Sequence, residues 1–171
     1  MESDFNEVPW QPGQRCGLFL ARFCIAAWIG AATLFVVVGV REVTRGAFDA
    51  ATKDTLVAIR FPAFYVFGSA LVGAGWLGTI LAGRSAQLPR GRRLVSLILL
   101  FCVLILMAVD YLWIYQPLLQ MVTPPGQAKP STFVAYHDAS KWINLGELAL
   151  CLVVAMLINF PARAPLLQRG A

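Results

Sequence analysis

The stretch LVSLILLFCVLILMAVDYLWIY, from Leu94 to Tyr115, decides the fold because Asp110 is its only charged residue. A helix needs about 20 predominantly apolar residues to cross the hydrocarbon core of a bilayer. Backbone groups without partners in lipid cost several kcal/mol each, so a segment of this kind must be helical. The stretch therefore predicts a membrane-spanning helix.

Three further apolar runs have a similar length and character, and they cover Gly17–Val40, Phe61–Ala82 and Trp142–Phe160. Together with Leu94–Tyr115 they predict an all-α protein, an integral membrane four-helix bundle. The expected organisation is an N-terminal tail over residues 1–16, a transmembrane domain over 17–160 and a C-terminal tail over 161–171. The helix of the last run is expected to begin earlier, with Ser131 or Thr132 as its N-cap.

The composition agrees with a membrane protein and excludes several other classes. Hydrophobic residues make up 58% of the chain and charged residues 13%, whereas soluble domains have about 45–50% and about 25%. The net charge is +5, but the basic residues lie between apolar runs and form no stripe, so no nucleic-acid partner is expected. The cysteines form no Cys-x-x-Cys pair, and neither a zinc site nor a cofactor is expected.

The segment GRSAQLPRGRR, Gly83–Arg93, predicts the orientation of the bundle. It contains four arginines and no acidic residue, and short loops of this kind stay on the cytoplasmic side of a membrane. Both termini would then be cytoplasmic, and the protein is expected to be a multi-pass protein of the cell (inner) membrane.

Small residues repeat at intervals of four in the first two spans, and this spacing allows helices to approach closely in lipid. The pairs are Ala26 with Gly30, Ala27 with Ala31, Ser69 with Gly73, Ala70 with Ala74, and Ala74 with Gly78. They predict tight packing of the first two spans, with Gly73 at the contact. The alternative is that glycine and alanine are simply common in membrane helices.

Polar residues line one face of the stretch FVAYHDASKWINLGELALC, Phe133–Cys151. At 100° per residue the shared face holds His137, Ser140, Lys141, Asn144 and Glu147. A polar stripe that enters lipid is expected to face the bundle or a water-filled cavity. Its expected partner is Asp110. This residue and Glu147 each lie about 8 Å from the outer end of their span, at 1.5 Å per residue.

These observations define a candidate polar pocket, composed of Arg60, Asp110, His137, Ser140, Asn144 and Glu147. Carboxylates and an imidazole bind metals or relay protons, so an ion is a reasonable ligand, although the metal is unknown. The alternative is structural: Asp110 pairs with Arg60 or Lys141 and fixes the helix register, and His137 is an exposed interfacial residue.

Three segments resemble the transmembrane-protein-205-like family of small four-span membrane proteins, which are grouped under a domain of unknown function. RFPAFY at Arg60–Tyr65 is similar to the F-P-x-x-Y/F opening of a family helix, and YHDASKWINL at Tyr136–Leu145 is similar to a later H-x-x-S/H-x-x-x-N segment. WIGAATLF at Trp28–Phe35 resembles the first family helix. The resemblance implies a four-helix fold, and it includes neither Asp110 nor Glu147.

The resemblance matches the motif positions of the family at Arg60, Phe61, Pro62, His137, Ser140 and Asn144. Because the activity of the family is unsettled, two functions stay open. The first is a small transporter or ion-binding protein with an outward-facing polar pocket. The second is a non-catalytic scaffold or accessory subunit that assembles with another membrane protein. No nucleophile–base pair, phosphate-binding glycine loop or HExxH motif is present, so an enzyme is not expected.

Overall fold

The computed structural model describes residues 12–83 and 87–160, and within these ranges the chain is helical and contains no strands. Its elements are α1 (Pro12–Thr44), α2 (Ala50–Leu81), α3 (Arg90–Val109), a π-helical turn (Asp110–Tyr115, here the π turn), α4 (Gln116–Met121) and α5 (Phe133–Asn159). Because α3, the π turn and α4 are continuous, four helices are long and apolar enough to cross a membrane. The predicted all-α four-helix bundle is confirmed.

The helices extend beyond the predicted spans. Helix α1 begins at Pro12, within the predicted N-terminal tail, and α2 begins at Ala50, well before Phe61. The side chain of Asp49 caps α2 by accepting a hydrogen bond from the Thr52 amide at 2.7 Å, and this bond holds the pKa of Asp49 below its ordinary value. Residues 1–11 and the predicted C-terminal tail, 161–171, lie outside the described residues.

The core of the bundle is apolar and is built from all four membrane helices. Its fully buried side chains include Ile25, Val72, Leu100, Met107, Val103, Val154 and Ile158. Large apolar side chains are also exposed on every one of these helices, for example Phe19, Val66, Phe101 and Val153. A surface of this kind is suited to lipid contact, because a soluble monomer rarely exposes such a continuous apolar area.

Helices α1 and α2 approach each other most closely at Gly17 and Gly78. A Cβ atom placed on Gly78 would lie 2.8 Å from the Gly17 carbonyl oxygen and 2.7 Å from the Ala21 amide nitrogen. A Cβ atom placed on Gly17 would in turn lie 2.8 Å from the Gly78 carbonyl oxygen. The predicted tight packing of the first two spans is therefore present, and the two backbones touch.

Of the small residues predicted for this contact, Gly78 is confirmed, but the placement of Gly73 at the contact is wrong. A Cβ atom on Gly73 or on Gly30 would meet no atom within 4 Å. Gly73 precedes Gly78 by five residues, which places it about 140° away around the helix at 3.6 residues per turn. Small residues are spread over several faces of α2, so their spacing alone did not identify the face that meets α1.

Arginine side chains donate hydrogen bonds to the last carbonyl groups of two helices near the segment Gly83–Arg93. This end of the bundle is here called the arginine-loop end. Arg93 donates from Nε to the Thr79 carbonyl at 3.1 Å and from Nη2 to the Ile80 carbonyl at 3.0 Å. Arg22 of α1 donates from Nε to the Ile158 carbonyl of α5 at 3.0 Å. These carbonyls lie in the last turns of α2 and α5, where basic side chains satisfy the free acceptors.

Asp54 fixes the long connection between α4 and α5 at the other end, here called the opposite end. Its buried carboxylate accepts a hydrogen bond from the Gly126 amide at 3.0 Å and pairs with Lys129 at 2.9 Å. Gly126 has a φ of +83°, in the left-handed region that glycine adopts without strain. The proline-rich segment is thus tied to the start of α2.

Candidate functional site

Asp110 lies at the centre of a buried polar cluster. Its side chain is fully buried, and its Oδ2 atom accepts three hydrogen bonds. The donors are the Tyr65 hydroxyl at 2.6 Å, the Asn144 amide at 2.7 Å and the Ser140 hydroxyl at 3.1 Å. Because these donors come from α2 and α5, one carboxyl oxygen joins three of the four membrane segments.

The π turn explains how Asp110 and Tyr115 both reach the interior. In an α-helix, two residues five positions apart differ by about 140°, so they could not share a face. A π-helix bonds residue i to residue i+5 and widens the turn, which brings such positions together. Both Asp110 and Tyr115 are buried. Turns of this type occur frequently at functional sites.

Helix α5 supplies the second half of the cluster on a single face. Ser140, Glu147 and Cys151 are buried, and Asn144 is half-buried between them. Asn144 also donates to the Ser140 carbonyl at 2.8 Å, which orients its amide toward Asp110. Ser140 and Asn144 both donate to Asp110, and Glu147 follows Ser140 by seven residues, which is two turns along the same face of α5. The predicted approach of the Glu147 face to Asp110 is therefore present in the structure.

Two carboxyl oxygens in this cluster are buried without a hydrogen-bond partner. They are Asp110 Oδ1 and Glu147 Oε1, and the hydroxyl of Tyr115 is in the same condition. Within residues 12–83 and 87–160, no lysine, arginine or histidine lies within ion-pair distance of Asp110 or Glu147. Buried carboxylates are normally hydrogen-bonded or paired, so this pair has unused capacity to bind a proton or a cation.

Arg60 and His137 lie apart from the cluster. Arg60 pairs with Glu42 of α1, because it precedes Tyr65 by five residues and so faces about 140° away from it. His137 is exposed, and its ring stacks on Phe133 with centroids 6.0 Å apart. Of the six predicted pocket residues, the structure thus brings together Asp110, Ser140, Asn144 and Glu147.

Tyr65 is the member of the cluster that sequence reasoning missed. It lies four residues after Phe61, about 6 Å along the helix at 1.5 Å per residue, close to the predicted depth of Asp110. Tyrosines of membrane helices usually lie at the interface. A tyrosine this far inside a span was the signal that could have identified a buried hydroxyl donor.

An aromatic layer from α2 and the π turn packs beside the cluster. The Tyr65 ring lies 5.2 Å from that of Tyr111 and 5.4 Å from that of Tyr115, and Phe61 stacks on Tyr115 at 5.6 Å. Tryptophan and tyrosine at the ends of membrane helices usually lie at the interface. Trp113 and Trp142 are indeed exposed, but Tyr115 is only 2% exposed and packs inside.

The cluster has few ligands for a metal ion. In the part of the chain that the structure describes, no three His, Cys, Asp or Glu side chains are grouped closely enough to hold one. Comparison with known proteins gives no further assignment, because no family model, curated protein or solved structure matches this chain.

Proposed function

We propose that this chain is an integral membrane protein that binds a small cation at Asp110 and Glu147, as an ion-binding protein or a small transporter. The observation that carries the proposal is the pair of buried carboxyl oxygens, Asp110 Oδ1 and Glu147 Oε1, that lack partners. Even on insertion scales an ionised aspartate in the centre of a membrane helix costs about 3 kcal/mol. A bound proton or cation lowers the net charge of the pair and so reduces this cost.

Each polar neighbour has a role in this proposal. Tyr65, Ser140 and Asn144 hold Asp110 in one orientation through its Oδ2 atom. Its Oδ1 atom is then left for the ligand, and Glu147 supplies the second carboxyl group from α5. Because these hydrogen bonds hold the Asp110 side chain in place before the ligand binds, less side-chain reorganisation is required on binding.

The proposed location is the cell (inner) membrane with both termini cytoplasmic. The support is the cluster of Arg90, Arg92 and Arg93 in the first turn of α3, since arginines are retained on the cytoplasmic side. The pocket would then face outward. Single cysteines at Gln87 and Gln127 test this orientation, because an impermeant thiol reagent added to intact cells should modify only the cysteine at Gln127.

The cation-binding proposal is tested by ligand-dependent unfolding of the purified protein in detergent. A ligand that binds only the folded state raises the unfolding temperature progressively as its concentration exceeds its dissociation constant. The wild-type protein should respond to pH or to one of Na⁺, K⁺, Mg²⁺, Ca²⁺ or Zn²⁺, and the response should be lost in Glu147→Gln. Asp138→Asn is the matched control, because Asp138 is half-exposed and pairs with Lys141 outside the cluster. A wild-type protein that responds to none of these conditions would refute the proposal.

The alternative function, a scaffold or accessory subunit, is favoured by the way Asp110 joins α2, the π turn and α5. In that role the cluster only holds the helices together. Asp110→Asn and Glu147→Gln would then lower the amount of folded protein in the membrane. In the cation-binding role, Glu147→Gln leaves the protein level normal and removes the response to the cation.

A further inference from the structure

We infer that the cation is a proton and that Glu147 carries it, beside an Asp110 that stays ionised. This inference rests on the proposed function and specifies the ligand of the same site. Uptake adds one proton from water to the Glu147 carboxylate and leaves a neutral carboxylic acid. No other bond is formed or broken.

The donor set argues against a metal ion. Mg²⁺ requires near-octahedral oxygen coordination, Ca²⁺ takes six to eight oxygens, and Zn²⁺ takes four ligands. Asp110 Oδ2 already accepts three hydrogen bonds, so Asp110 offers only its Oδ1 atom without distortion of the cluster. Among the described residues, no third acidic, thiol or imidazole ligand completes a metal site. A proton needs only one oxygen and therefore fits.

The surroundings of the two carboxyl groups are unequal. Hydrogen bonds donated to a carboxylate favour its charged form, whereas burial without donors favours the neutral form. Asp110 receives three such bonds at Oδ2, although its Oδ1 receives none, whereas Glu147 accepts no hydrogen bond from any described residue and its Oε1 is buried. Two neighbouring carboxyl groups whose environments differ in this way divide into one ionised and one protonated partner. The geometry assigns the proton to Glu147.

The other titratable groups around the pair do not compensate its charge. They are Tyr65 from α2, Tyr111 and Tyr115 from the π turn, and Cys151 from α5. On α1 the buried Trp28 lies beside Gly68 of α2, and tryptophan does not titrate. Each of these side chains is neutral near pH 7 in its usual form, so the proton on Glu147 is what lowers the charge of the cluster.

Infrared difference spectroscopy over a pH titration tests the inference on the purified protein. The carbonyl stretch of a protonated carboxylic acid should be present near neutral pH in the wild type. It should be absent in Glu147→Gln and retained in Asp110→Asn. Asp138→Asn, the exposed control, should leave the band unchanged. Because glutamine resembles neutral glutamic acid, Glu147→Gln should also fold and should unfold at a temperature that no longer changes with pH.

The outcomes separate this inference from the proposed function. A band that disappears in Asp110→Asn and persists in Glu147→Gln would place the proton on the wrong residue. Failure of Glu147→Gln to fold, while Asp138→Asn folds normally, would contradict a neutral Glu147, because glutamine resembles the neutral acid. A response to a metal ion without any response to pH would overturn the proton assignment and leave cation binding intact. A protein that responds to neither would overturn both.

Discussion

At the scale of single residues, the hydrogen bond from Tyr65 to Asp110 is the most informative contact in the molecule. The distance between the buried Tyr65 hydroxyl oxygen and Asp110 Oδ2 is 2.6 Å. A hydrogen bond to a charged group contributes about 1.5–3 kcal/mol to stability. We expect Tyr65→Phe to lower the free energy of unfolding by about this amount, because the ring is retained and only the donor is lost. Reversible unfolding in mixed micelles measures the change.

Tyr115→Phe is the matched control for this prediction. The Tyr115 hydroxyl is also buried, but it has no hydrogen-bond partner among the described residues. Removal of an unsatisfied polar group is neutral or stabilising, since the cost of its desolvation disappears. The changes in the free energy of unfolding caused by Tyr65→Phe and Tyr115→Phe should therefore differ in sign or clearly in size. Equal losses of stability would contradict the assignment of Tyr65 as the particular donor to Asp110.

At the scale of the helices, the contact between α1 and α2 depends on a missing side chain at Gly78. A leucine there would meet the backbone of Gly17 and Ala21, which cannot move aside as a side chain can. Overpacking of well-packed sites costs about 1–3 kcal/mol and occasionally more. We expect Gly78→Leu to reach or exceed the upper end of this range, as measured by folded yield and thermal unfolding in detergent.

Gly73→Leu provides the comparison, because it introduces the same side chain into the same helix. Gly73 has open space where its Cβ would lie, and the helix gains a residue of better intrinsic propensity than glycine. The folded yield of Gly73→Leu should match that of the wild type. If both variants fail equally, the loss would come from glycine's role within the helix itself and not from the contact with α1.

The end of α2 gives a second prediction at this scale. Arg93 donates hydrogen bonds to the carbonyls of Thr79 and Ile80, whereas the Arg90 side chain has no hydrogen bond or ion pair with any described residue. Arg93→Met should fray the last turn of α2 and increase amide hydrogen exchange at Ala82 and Gly83, which bond back to that turn. Arg90→Met removes the same charge and should leave this exchange unchanged.

At the scale of the whole molecule, the sequence predicted the fold well because membrane crossing depends on quantities that a sequence displays. Apolar length identified all four membrane helices. The rotation of each helix was harder to predict. Depth and a period of 3.6 residues brought Ser140 and Asn144 to Asp110, but the same reasoning placed Gly73 in a contact that Gly78 makes. Hydropathy does not distinguish one apolar face from another, so packing decided between them.

The parts of the site that escaped prediction depend on local geometry that the sequence does not display. The π turn carries no sequence signature, although it determines that Tyr115 points inward together with Asp110. Arg60 was expected near the carboxyl groups because of its depth, but its direction around α2 turns it to Glu42. Residues at equal depth meet only when the faces that carry them also point toward each other. The sequence does not give this rotation of the helices, so the structure was needed to determine it.

The distribution of polar groups along the bundle predicts that the site communicates with one aqueous phase. On the side of the opposite end, the polar residues Ser140 and Asn144 precede Glu147 along α5 and donate hydrogen bonds to Asp110. On the side of the arginine-loop end, the next buried residues are apolar on both facing helices, namely Leu100, Val103, Val154 and Ile158. Such a layer excludes water because it offers no hydrogen-bond partner, so protons should reach Glu147 only past Ser140.

Cysteine accessibility in sealed vesicles tests this one-sided access. In a chain whose four native cysteines are replaced by alanine, Ser140→Cys should react with an impermeant thiol reagent only from the opposite end. Val154→Cys, in the apolar layer, should not react from either side. Gln87→Cys reports the arginine-loop side and fixes the orientation of each vesicle preparation. Modification of Val154→Cys from the arginine-loop side would show that water passes the apolar layer, and the site would then be open to both phases.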